Sequence, residues 1–401
     1  MPMRRVPTPH LGGKLAVALF ILALLAFVIE SQLTQYVQTT LGYRQPFFLF
    51  YLVHSSFSII FPLHFLYLTS VTNYSASSLL NGLSIAIVNH LSPYERSGST
   101  KFPLGRFAQL VLALSVGITC PSLLWFAAIS LASISDVTAI WNTNAIFAYV
   151  ITVKLFGLKW EPRRLLAVLL ATLGVMAVVY GGSTSDNGQP STEEMSKDVN
   201  VISVEPSAPL VGDLLTLIAS LGYGLYQVLY KKYAALPTDP EAVSDPLYEQ
   251  ISNDGSTSVY DEFDAADHSH VANPPPFGLH ANLMTSIIGL VTFAVLWIPI
   301  PILHYLDIEP FVLPANSKTV LAIAGIALSG VVFNAGFMVL LGTWGPIITS
   351  VGNLLTIVLV LVSDMVFGAG PEALTMWSLV GCSVIVAAFS VLAYDMFTRG
   401  S

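Results

Sequence analysis

Ten stretches of about twenty predominantly apolar residues recur along the chain. That is the length an α-helix needs to cross a hydrocarbon core about 30 Å thick. The runs lie at roughly 15–37, 47–70, 107–131, 134–156, 164–182, 211–230, 279–303, 319–341, 345–367 and 374–396. Polar or Gly/Pro punctuation separates them, as at Gly42-Tyr43-Arg44-Gln45-Pro46 and Gly368-Ala369-Gly370-Pro371. Because the runs are continuous rather than alternating, they predict helices and not the strands of a membrane barrel. The 401 residues are 54% hydrophobic and only 10% charged, with a mean hydropathy of +0.71. A soluble domain carries about 25% charge, so an ordinary water-soluble enzyme is excluded.

A net charge of -8 and a pI of 5.4 argue against nucleic acid as a partner. Cys120 and Cys382 sit in separate apolar runs and provide neither a disulfide framework nor a zinc spacing. No cofactor motif is found, and no Walker A sequence, so the chain does not read as an ATP-driven pump. Arg4, Arg5 and Lys14 precede the first apolar run in the manner of a secretory signal. The run is long, carries Glu30 and lacks a small-x-small cleavage site, so it reads as a first span.

Basic residues then set orientation. If alternate loops lie on alternate sides, the N-terminal side holds Arg4, Arg5, Lys14, Arg96, Lys101, Arg106, Lys154, Lys159, Arg163, Arg164, Lys231, Lys232 and Arg399, against Arg44, Lys197 and Lys318 on the other. The positive-inside rule makes the first side, with both termini, cytoplasmic. The sequon Asn73-Tyr74-Ser75 falls on that side and reads as unused. The expected organisation is a cytoplasmic tail at 1–14, a five-helix half at 15–182, a linker at 183–210, a second five-helix half at 211–396 and a tail at 397–401. The linker, rich in Ser, Asp, Glu and Pro, reads as disordered and non-cytoplasmic, and the loop at 233–277, with nine acidic residues and Pro274-Pro275-Pro276, as disordered and cytoplasmic.

An odd number of helices per half inverts one half relative to the other. Shifting residues 136–157 by 211 aligns Thr138 with Thr349, Asn142 with Asn353, Ile146 with Ile357, Phe156 with Phe367 and Gly157 with Gly368. The fold class expected is therefore all-α, a polytopic membrane protein of ten transmembrane helices arranged as two inverted five-helix repeats.

Candidate functional residues follow from polar groups inside apolar runs. Glu30 lies about 22 Å up the first helix, where a carboxylate costs roughly 2.5–3.5 kcal/mol on insertion scales. It is placed to bind a cation or exchange a proton. Alternatively the helix ends sooner, since Ser31, Gln32, Thr34, Gln35 and Gln38 follow, and Glu30 meets water. Thr138, Asn142 and Thr152 share one helical face, as do Thr349, Asn353, Thr356 and Ser363. Such faces line solute cavities or bind neighbouring helices. Tyr223, Tyr226, Gln227 and Tyr230 form a stripe suited to stacking on a ring or cation, or to packing, and Trp141 beside Asn142 is similar. His54 and His64 read as interhelical hydrogen-bonding groups, without metal spacing. Apart from lysines at span ends, no Lys or Arg lies within a span, which disfavours polyanionic solutes.

Asp136-Val-Thr-Ala-Ile-Trp-Asn-Thr143, Gly174-Val-Met-Ala-Val-Val-Tyr180 and the segment from Leu214 to Lys232 give the chain a resemblance to the drug/metabolite transporter (EamA-like) superfamily. Within it, the chain is most similar to the F-type branch of solute carrier family 35, in particular fungal vacuolar-membrane members. The resemblance implies a secondary transporter working by alternating access, and the polar and aromatic groups read above would then place Glu30, Thr138, Trp141, Asn142, Tyr226, Gln227, Thr349, Asn353 and Thr356 around the solute. A thiamine-like cation is the solute it implies, and nucleotide-sugar transporters are relatives. The rival from another class is a non-transporting receptor or scaffold acting through the acidic loop. Within that loop, Tyr248-Glu-Gln-Ile251 and Tyr260-Asp-Glu-Phe263 resemble tyrosine sorting signals read by clathrin-adaptor proteins, and point to a vacuole-like or late endosomal membrane.

Overall fold

In the computed structural model, the residues described are 13–72, 74–92, 102–129, 131–132, 134–181, 208–236, 272, 274–367 and 375–399. The sorting-type residues Tyr248, Ile251, Tyr260 and Phe263 lie outside them, as do nearly all of the 183–210 linker and most of the 233–277 loop.

The described residues are helical, with no strand among them. The elements are α1 (Gly13–Gln35), α2 (Pro46–Ser56), α3 (Ile60–Val71), α4 (Ala76–Leu91), α5 (Leu104–Ile129), α6 (Ile134–Trp141), α7 (Asn144–Leu155), α8 (Pro162–Gly181), α9 (Pro209–Tyr233), α10 (Leu279–Val295), α11 (Pro299–Tyr305), α12 (Ser317–Asn353), α13 (Leu355–Phe367) and α14 (Met376–Arg399). Side-chain caps fix two of the starts. Ser75 accepts the Ser78 N–H at 3.1 Å before α4, and Asn316 accepts the Thr319 N–H at 2.8 Å before α12.

Seven helices are long and apolar enough to cross a bilayer: Leu15–Gln38, Pro46–Val71, Leu104–Ala128, Pro162–Tyr180, Pro209–Tyr233, Ser317–Ser363 and Met376–Asp395. An eighth span results if Leu279–Val295 and Pro299–Tyr305, bent by 41°, are taken together. Seven or eight spans pass on length and composition where ten were expected, and two features account for the difference. The expected 134–156 span is broken at residues 142–143 into two short helices. The expected spans 319–341 and 345–367 run on as one helical stretch, kinked where Gly345 takes φ 80° ahead of Pro346. A positive φ is a conformation that glycine adopts without steric penalty, and the Pro346 ring excludes a regular helical hydrogen bond at that point.

The most extensive pairings are α8 with α14, α1 with α12, and α5 with α9, followed by α7 with α9 and α10 with the α2–α3 segment. Small residues permit these approaches. Pro121 of α5 packs on Gly222 of α9, and Gly289 of α10 lies against the Phe57–Ser58 backbone. Exposed Leu15, Ile21, Leu22, Leu25 and Ile29 on α1 and Leu166, Leu170 and Leu173 on α8 form the apolar exterior that lipid requires.

The amphipathic helix α4 is a feature the run-length reading passed over. Leu79, Leu83 and Ile87 bury against Leu68, Ala272 and Leu279. The 233–277 loop is ordered at both margins. Ala234 and Ala235 are buried after α9, and the Ala272 N–H donates to Ser78 O at 3.3 Å.

Candidate functional site

Glu30 sits in the last turn and a half of α1, facing α12 at Gly330, where the absence of a side chain leaves room for it. A Cβ built on Gly330 would lie 3.1 Å from Glu30 Oε1 and 2.8 Å from Val53 Cγ1 of α2. The other oxygen, Oε2, is buried with no hydrogen-bond partner. The carboxylate is within electrostatic reach of the Tyr223 hydroxyl on α9.

A chain of aromatic contacts begins beside Glu30. Phe27, one turn before it, meets Phe333 at 4.8 Å with the rings tilted by 52°, and Phe333 lies 5.3 Å from Phe337. Phe337 is 6.2 Å from Tyr223, and Tyr223 is 4.9 Å from Trp141 at an interplanar angle of 29°. From Tyr223 a second file descends α9, with Tyr226 at 6.2 Å and then Tyr230 at 6.4 Å. A carboxylate without a counter-ion and a wall of π faces together attract a positively charged or polarised organic group.

Trp141 is presented by the break between α6 and α7. Its carbonyl, freed from the helical ladder, accepts from Ser220 Oγ of α9 at 3.0 Å and from Asn144 Nδ2 at 2.8 Å. Thr143 Oγ1 meets Ser220 Oγ at 3.0 Å. The freed backbone is thereby satisfied inside the protein, as a span requires. Asn142 lies in the break, its amide donating to Thr138 O at 2.7 Å. Asn353 lies at the corresponding break between α12 and α13, so the two residues aligned by the 211-residue shift occupy matching discontinuities.

Glu30 and Trp141 are joined through Tyr223. Tyr226 and Gln227 lie about one turn farther along α9, and Asn353 lies at the end of α12. Tyr226 donates to Met338 Sδ at 3.6 Å, and Gly352, beside Asn353, packs on Phe20 of α1. Phe20 precedes Glu30 by ten residues, about 15 Å along the helix. Gln227 is fully buried with neither amide atom partnered, and Asn353 Oδ1 is likewise buried and unpartnered. Thr349 Oγ1 donates across the kink to Gly345 O at 2.8 Å, and Thr356 Oγ1 to Asn353 O at 2.6 Å. Thr138 is half-buried and offers its carbonyl to Asn142.

Phe333, Phe337 and Gly330 are site residues that sequence reasoning missed. The signal was the pairing of Phe333 and Phe337 four residues apart, which puts them on one helical face. His64 Nδ1 meets Asn282 Nδ2 between α3 and α10 at 2.8 Å, whereas His54 turns to the Phe50 carbonyl of its own helix. No group of three His, Cys, Asp or Glu side chains suited to a metal ion occurs among the described residues.

No family model matches the chain. It is 24% identical over 393 residues to an uncharacterized transporter of Schizosaccharomyces pombe, covering 95% of this chain and 96% of that one. It is also 24% identical over 408 residues to the thiamine-repressible mitochondrial transport protein THI74 of Saccharomyces cerevisiae, covering 96% and 92%. A chain of known crystal structure aligns with a TM-score of 0.54 at 13% identity over 96% of this chain and 99% of its own, a likeness of fold alone. Over nearly its whole length, the chain is thus related to proteins named as transporters.

Proposed function

We propose that the chain is a secondary active transporter of a small polar neutral or cationic metabolite, a thiamine-like or other organic solute, working by alternating access. The observation that carries this reading is the Glu30 carboxylate, its Oε2 buried and unpartnered within a span, with Phe27 one turn before it and the Tyr223 hydroxyl in electrostatic reach. An uncompensated buried carboxylate is costly, and a cation or a proton is its natural complement. Gln227 and Asn353, with buried unpartnered amide atoms, and Tyr226 are the further hydrogen-bonding groups of this reading. Two relatives named as transporters support the class.

A ten-span arrangement of two inverted halves is supported by the pattern of breaks and pairings. Counting the kinked Ser317–Ser363 stretch as two spans, and the pairs α6–α7 and α10–α11 as one each, gives ten. Under a two-fold relation of the halves, α1·α12 maps onto α9·α5, while α8·α14 and the contact of α2–α3 with α10 map onto themselves, and these are dominant pairings. The charge bias supports cytoplasmic termini. We favour an endomembrane, vacuole-type address through the Tyr248 and Tyr260 signals. Imaging of Tyr248→Ala/Tyr260→Ala decides it, and an unchanged distribution removes the adaptor role.

The test of function is a thermal-shift screen of purified protein with thiamine as the first probe and a metabolite library behind it. A stabilising solute should lose its effect in Glu30→Gln, with expression and folding retained. Equal stabilisation of Glu30→Gln and wild type, or undiminished uptake with unchanged pH dependence, removes Glu30 from the mechanism.

A further inference from the structure

The segment joining α11 to α12 reaches across to the start of α2, 260 residues away in sequence. Half-buried Glu309 accepts both the Phe47 N–H at 3.0 Å and the Phe48 N–H at 3.1 Å. These are first-turn donors that no helical carbonyl can satisfy, and the carboxylate also meets the positive end of the helix dipole. Gln45 Nε2 donates to Pro310 O and Tyr43 Oη to Val312 O, each at 2.9 Å. Phe48 meets Phe311 edge-on at 5.0 Å. Burial and the Glu309 charge push the Tyr43 hydroxyl up to about 12, so it stays protonated and remains a donor. The Phe311 N–H donates to His304 Nδ1 at 3.0 Å, and Asp307 turns the chain at φ 53°, which shapes the segment before it docks.

The opposite end of the bundle differs. There a small cleft of about 30 Å³ is lined by Tyr230, His280, Pro275, Gly278, Val339 and Gly342. Tyr230 begins the file of rings that runs through Tyr226 to Tyr223 beside Glu30. Helix α2 runs from the first of these ends to the Glu30 site. Seven residues, about 10 Å, beyond the α2 start that Glu309 holds, Val53 packs against Gly330 at the Glu30 site.

We propose that the contacts around Glu309 are a latch that closes the α2 end and holds the conformer in which the site is reached from the Tyr230 cleft. The idea rests on the transport reading, since only an alternating-access protein has a second conformer for the latch to oppose. A contact made in one conformer alone stabilises it, and its removal shifts the population toward the other.

The test needs no solute. In a background with Cys120 and Cys382 replaced by alanine, single cysteines are introduced as Ala281→Cys, in the cleft, or Val53→Cys, behind the latch. Each is labelled in purified protein with a water-soluble maleimide, with and without Glu309→Ala. Cutting the latch should slow labelling at 281 and speed it at 53, each by roughly tenfold, and Glu309→Gln should fall between. Unchanged rates at both positions overturn the latch, as does a rise at both, which reports loosening instead of a switch. A failed latch leaves the solute-binding test of Glu30 untouched, and a failed Glu30 test leaves these rates interpretable.

Discussion

Gly174 of α8 and Gly381 of α14 cross with nothing between their backbones: a Cβ built on either would fall on the carbonyl oxygen of the other. The contact joins α8 to α14, the last helices of the two proposed halves. Gly381→Ala has no flexible neighbour to displace and should cost about 1–3 kcal/mol through overpacking. Thermal unfolding in detergent should show this as a lowered midpoint, while Gly105→Ala, which meets nothing within 4 Å, serves as the control.

Gly330 makes the opposite kind of contact. An added Cβ there meets side chains, Val53 and Glu30, which can move. Gly330→Ala should therefore leave stability within about 1 kcal/mol of wild type yet weaken solute binding severalfold by displacing the carboxylate. A binding isotherm equal to wild type would show that the Glu30 position is not critical.

Arg164, 3% exposed, directs Nε to Glu161 and to Asp395, each at 3.0 Å, tying α8 to α14. Removing the guanidinium leaves two acids sheltered together, so Arg164→Met should cost about 3 kcal/mol and Asp395→Asn distinctly less. Reversal of that order in thermal denaturation would place the main stabilisation elsewhere.

Topology has its own test. Cysteines substituted at Ser191 and Ser256 should label from opposite sides of sealed vesicles, Ser256 from the cytoplasmic side. Labelling from the same side refutes the ten-span arrangement.

How far the sequence foretold these features depends on what each run contained. The apolar runs located the membrane helices because length and hydropathy are what a span requires. The breaks at Asn142 and Asn353 were hidden, since neither residue is a proline and both fall within runs apolar enough to read as continuous spans. Their alignment by the 211-residue shift was visible, but not its structural meaning. Glu30 stood out as a carboxylate in an apolar run. Phe333 and Phe337 did not, because a phenylalanine facing a site and one facing lipid look alike in sequence. Helix α4 escaped notice because its 16 residues fall short of a span. The Glu309 contacts link distant segments, which periodicity cannot report.

The anchoring of Ala272 on Ser78 and of Ala234 and Ala235 beneath α9 has a consequence for how the chain can be divided. Both borders of the long insert are held by the bundle, and α1 with α12 and α8 with α14 pair across any cut made between 237 and 271. A protease acting there should yield two fragments that migrate together in detergent. The same two pieces, encoded separately and expressed together, should assemble into one working unit.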